Sequence, residues 1–139
     1  MDLAKWADDM PKRIETAANK VAVSVSAFVE AELTMVTPVD TTKALSNWIV
    51  SIGVPAYNDI GARVPGYFGY TATASRAATL AAAQAALAMK RPGQLVYIGN
   101  NAPYIRDLNN GSSKQEPAGF VERAAMRGRN KVATYKLNL

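Results

Sequence analysis

Two stretches decide the fold: Asn47-Trp48-Ile49-Val50-Ser51-Ile52-Gly53 and, further along, Leu95-Val96-Tyr97-Ile98-Gly99-Asn100. In the first, Trp48, Val50 and Ile52 alternate with Ile49 and Ser51, the period of a strand with two unlike faces. In the second, Leu95, Tyr97 and Gly99 stand opposite Val96 and Ile98. Two short strands cannot stand alone in water and need helices to cover a face. The segments around them supply those helices. The reading is therefore α+β: a small twisted sheet, antiparallel or mixed, packed against a long N-terminal helix, an Ala-rich helix and a C-terminal helix.

The N-terminal helix is expected from about Pro11 to Val36, with Asp8 or Asp9 capping its start and Pro11 in the first turn. Ile14, Ala18, Val21, Val25, Phe28 and Met35 share a face at helical spacing. Val21, Val23 and Val25 also alternate with Ala22, Ser24 and Ser26, a strand period; length and charged flanks favour helix. Thr37-Pro38 ends it, because a residue before proline is pushed out of the α region. Asp40 is expected to cap a turn or a short helix at Thr41–Leu45. Thr73 to Met89 reads as helix from its alanine content, and Arg91-Pro92-Gly93 as a turn. A short helix is expected over Ala102–Asn109, and a last one from Pro117 to about Gly128 with Phe120, Ala124 and Ala125 inward. Residues 1–128 form one domain in this reading, and residues 129–139 a basic tail.

Composition removes many chemistries. The 139 residues contain no Cys and no His, so no disulfide, thiolate nucleophile, Cys/His zinc site, imidazole base or Ser-His-Asp triad can be built. Carboxylate-only metal sites and Lys/Asp acid–base pairs survive that filter. No phosphate-binding glycine motif occurs; Gly61, Gly66 and Gly69 lack the strand before and the lysine after. Ser113-Lys114 are adjacent, and neighbours rarely converge on one reacting atom. Nothing places Asp40 and Asp59 together. The expectation is no enzyme and no cofactor. Met1 to Met10 lacks an apolar signal-peptide centre. The weakly polar run Ala77–Met89 is too short for a bilayer, which needs about 20 residues.

The net charge of +5 is uneven. Arg123, Arg127, Arg129, Lys131 and Lys136 face a single acid, Glu122, in the last twenty residues, and the rest of the chain is close to neutral. The functional reading is an arm for DNA or an acidic partner; the other is a solvated C-terminus. Arg123 and Arg127 share a helix face.

The stretch Pro55–Tyr70, with Tyr57, Tyr67, Phe68 and Tyr70, reads as a long loop whose aromatics pack on the core or on a neighbouring chain. Three other stretches are joints between elements. They are Thr37-Pro38-Val39-Asp40-Thr41-Thr42, Val96-Tyr97-Ile98-Gly99-Asn100-Asn101-Ala102-Pro103-Tyr104, and Gly111-Ser112-Ser113-Lys114-Gln115-Glu116-Pro117-Ala118-Gly119.

In this order, with Lys43 and Trp48 after the first and Pro92-Gly93 before the second, the three joints resemble the neck or tail-completion (minor tail, head–tail joining) proteins of tailed bacteriophages. The resemblance spans about residues 12–128. Thr42 stands where that family commonly has Gly, and a turn needing positive φ there is strained by a β-branched side chain.

The resemblance implies a structural virion protein, made in the host bacterial cytoplasm and located in the neck. It implies a homo-oligomeric ring, hexameric first and dodecameric second. The partners would be the head connector or adaptor and the tail tube or tail terminator, with DNA passing through the lumen and no membrane. Interface candidates are Tyr57, Tyr67, Phe68, Tyr70, Asp40, Asn100, Asn101, Tyr104, Ser113 and Gln115. Packing within the chain is an equal alternative for Tyr67 and Phe68, whereas Trp48 and Tyr97 are assigned to the core. A small nucleic-acid-binding module using the basic C-terminus is the alternative function.

Overall fold

The structure is a computed structural model that describes residues 2–139. It has the expected α+β architecture, in the order α1 (Leu3–Val36), α2 (Lys43–Ser46), β1 (Trp48–Ile52), α3 (Ala72–Ala88), β2 (Val96–Asn100), α4 (Ile105–Asn109) and α5 (Phe120–Val132). The two strands pair antiparallel, with Val50 opposite Ile98 and Trp48 opposite Asn100. The strand alternation read from sequence is the one observed. Trp48 and Val50 are buried in the core, and the half-buried Val96 and Ile98 pack against it, while Tyr97, on the opposite parity, belongs to neither core cluster and is not the core residue expected.

The core has two lobes that share Ile98. In one, Leu33 of α1, Trp48, and Phe120 and Ala124 of α5 are buried together. In the other, Val50 packs with Ala83 and Leu87 of α3, flanked by Val23 and Ala27 of α1. Helix α1 thus lies between α3 and α5. At Gly128 an added Cβ would run into the Val29 side chain, so only glycine lets α5 approach α1 this closely. The Arg127–Glu32 ion pair, 2.6 Å, ties the same two helices.

Several expectations shift. Helix α1 begins at Leu3, not Pro11, and Asp2 rather than Asp8 or Asp9 caps it, its Oδ1 accepting from the Ala4 and Lys5 amides at 3.0 and 3.3 Å. Pro11 lies inside the helix. The carbonyl its ring leaves unpartnered falls in a solvent-facing stretch, where water can serve it. The helical reading of Val21–Ser26 holds. The inward face differs, because the partners of α1 lie on two sides and its core contacts fall in its second half: Ile14 and Met35 are exposed, and Ala27, Glu30, Leu33 and Thr34 turn inward. Thr37 is extended as predicted, at φ −63° and ψ 124°.

Helix α5 starts at Phe120 rather than Pro117, because Gly119 takes a left-handed φ of 84°. It also continues past Gly128 to Val132, so Arg129 and Lys131 lie on the helix. Helix α4 starts at Ile105, since the Asn100 side chain accepts from the Ala102 amide and holds the preceding turn.

Candidate functional site

The three joints, far apart in sequence, meet around one cavity of about 350 Å³. Pro38 to Ala44 line it on one side, and Tyr104, Leu108, Ser113 and Gln115 on the other. Gln115 closes the ring by a two-way clamp on one backbone residue: its Oε1 accepts from the Val39 amide (2.9 Å) and its Nε2 donates to the Val39 carbonyl (3.0 Å). Ser113 Oγ shapes the turn by accepting from the Gln115 amide. Asn100 Nδ2 donates to the Ala44 carbonyl, 2.7 Å, and so fixes the end of β2 to α2.

Asp40 does not cap α2. It pins a second loop instead, its Oδ1 accepting from the Phe68 amide at 2.6 Å and its carbonyl from the Gly69 amide at 2.8 Å. Phe68 is thereby held at φ 56°, a conformation uncommon for side chains other than Gly, Asn and Asp. The outcome is display. Phe68 is 81% exposed and Tyr70 86% exposed, their rings edge-to-face with centroids 6.1 Å apart. Tyr67 and Tyr57 are also exposed. Packing of Tyr67 and Phe68 within the chain is thus not what the structure has.

The base of this loop is bound to the core by buried polar groups. Asn47 is fully buried; its amide donates to the carbonyls of Lys43 and Ile60, and its oxygen accepts from the Ile60 amide. Asn101 Nδ2 donates to the Ala56 carbonyl, 2.8 Å. Thr42 does take the positive φ, 68°, that its β-branched side chain disfavours. Its buried hydroxyl shares hydrogen bonds with Ser75 Oγ (2.8 Å) and the Val64 carbonyl (3.2 Å), which hold that conformation. A glycine could supply the turn but not these bonds.

Two of the five C-terminal cations are held in ion pairs. Arg123 reaches Glu116 (2.8 Å) and the carbonyls of Ala118 and Pro117, and Arg127 is paired with Glu32. Lys131 lies over the Phe28 ring, 5.5 Å from its centroid. Arg129 and Lys136 are exposed.

One buried acid has no partner. Glu30 is fully buried between α1 and α3, and neither carboxylate oxygen accepts a hydrogen bond among the described residues. It borders a small cavity of about 100 Å³ with Ala27, Ala83 and Leu87. Burial pushes its carboxyl up to about 8, against a smaller opposing pull from Arg63. Among the described residues no cluster of acidic side chains could hold a metal ion, and no helix is long and apolar enough to cross a membrane.

Of the residues singled out from sequence, Asp40, Tyr104, Ser113 and Gln115 gather at one cavity, with Asn100 behind it and the aromatic turn attached through Asp40. Asn101 and Tyr57 belong to the other end of the loop. Ser75, Val64 and Glu30 went unnoticed. Glu30 left a trace: it is the one acid in the helical series Val23, Ala27, Glu30, Thr34. Comparison with protein-family models, curated proteins and solved structures finds no match.

Proposed function

We propose that this chain is a structural protein of the tailed-phage neck, a ring component that joins the head connector to the tail. Within this reading the ring is hexameric, with a dodecamer second, and the chain does its work by contact rather than catalysis. The observation that carries the reading is the pinned aromatic turn. Leaving a Phe in water forfeits about 1.5–3 kcal/mol of burial, and Phe68 also holds a disfavoured backbone angle. Such features persist where the surroundings over-determine them, and they concentrate at functional contacts. Aromatic side chains are common anchors of interfaces. The first turns of α1 offer a second apolar surface, with Leu3, Trp6 and Ile14 exposed. Two unlike sticky surfaces on one chain suit a heterologous contact that repeats until it closes.

The test is mass photometry of the protein alone and with the connector and tail-tube proteins. The expected result is a ring in at least the second condition, lost on Phe68→Ser/Tyr70→Ser with an unchanged melting curve. A strict monomer in both conditions, or rings indifferent to that double substitution, refutes the proposal.

A further inference from the structure

A separate cleft of about 520 Å³ runs between the first half of α1 and the segment that follows α5. It is lined by Lys12, Arg13, Lys20 and Lys136, with Tyr135 among them and no acidic side chain. Arg13 Nη1 donates to the Leu139 carbonyl, 3.3 Å, and so holds the segment against the helix. Lys12, Lys20 and Lys136 have neither ion-pair nor side-chain hydrogen-bond partners among the described residues. Lys12, Thr16 and Lys20 are spaced i, i+4, i+8, so they form one row along the helix. The row spans about 12 Å at 1.5 Å per residue.

We propose that this cleft binds the backbone of single-stranded nucleic acid, with the lysine row on the phosphates and Tyr135 stacked on a base. The chemistry selects this ligand in three steps. Cations held in no ion pair around a concave site attract a polyanion. A single strand can turn a base into a cleft, whereas a duplex keeps its bases stacked inside. A partly exposed aromatic beside a row of cations is the combination that single-strand binders use, because every base has a π-face. The proposal uses Lys136 of the C-terminal cations, adds three residues from the opposite end of the chain, and does not depend on the ring reading.

The probe is a labelled twelve-nucleotide oligo-dT, followed by fluorescence anisotropy with the full chain from low to high salt. Binding is expected at low salt, with log affinity falling against log salt with a slope of about −2 to −3, since each single-strand phosphate contact contributes about −0.7. Lys12→Gln/Lys20→Gln should weaken binding at least tenfold and flatten the slope by about 1.4. Tyr135→Leu should weaken it about five- to a hundredfold while the slope holds. Arg123→Gln/Arg127→Gln, outside the cleft, should leave it unchanged. Circular dichroism melts check that each variant is folded. The proposal is overturned by no binding at low salt, by equal binding of a duplex or of poly-glutamate, or by a lysine double variant that binds like the parent.

Discussion

Replacing Glu30 by Gln should abolish a large pH dependence of stability. The carboxyl titrates near 4.5 when the chain is unfolded and at about 8 when buried in the fold. Its folded value is raised, so between these limits the native state holds a proton that the unfolded state has released. Stability therefore falls as pH rises from about 4.5 and levels off above about 8. At 1.36 kcal/mol per pH unit the loss is about 3 kcal/mol by pH 7 and about 5 kcal/mol by pH 9. Against a typical domain stability of about 5–15 kcal/mol this is large. The glutamine side chain of the Glu30→Gln variant is nearly isosteric and equally short of partners, but it cannot ionise. The two proteins should match near pH 4, and the variant should gain about 3 kcal/mol near pH 7 and about 5 kcal/mol near pH 9. Urea denaturation at those three pH values measures the gap. Glu122, whose carboxyl the Asn109 side chain holds below its usual range, titrates alike in both proteins and cancels. A gap that stays constant with pH would show that Glu30 is not the buried titrating group.

Other positions give independent tests. Thr42→Val keeps the strained turn and the buried methyl but removes the hydroxyl bonded to Ser75 and Val64; it should cost about 1–3 kcal/mol in urea denaturation, with Thr42→Ser recovering most of the loss. Gln115→Ala should lower the melting temperature only slightly, since its bonds to Val39 are exposed, yet hydrogen exchange at the Val39 amide should accelerate markedly. Gly128→Ala, which in an open helix would gain about 1 kcal/mol, should here cost about 1–3 kcal/mol by pushing α5 off Val29. A gain in thermal stability would contradict that packing, and Val29→Ala in the same chain should restore the parent value.

Local signals carried much of this architecture. The Trp48–Ile52 and Val96–Asn100 alternation, the alanine run of α3 and the Thr37-Pro38 stop each depend on a few neighbouring residues, and each was legible. The inward face of α1 was not, because two partners on different sides spread the apolar positions into a broad band that no single helical stripe describes. Asp40 was misassigned for a related reason. A carboxylate three residues before a short helix resembles a cap, and only the fold brings the Phe68 amide to it from a distant loop. The C-terminal charge run concealed its own pairing, since Glu116 and Glu32 reach Arg123 and Arg127 from a loop and from another helix. The convergence of the three joints could be suspected from their shared order, but not their geometry around a cavity.

The clamp between Gln115 and Val39 joins residues separated by 76 positions, and the pin from Asp40 to Phe68 spans 28. Contacts of such long range bear the entropy of closing large loops before they return any energy, so they form late in folding. The aromatic turn therefore takes its final shape only after the C-terminal third of the chain has docked. A nascent or truncated chain would lack the finished turn, so under the proposed ring reading self-association would be timed by the completion of folding itself.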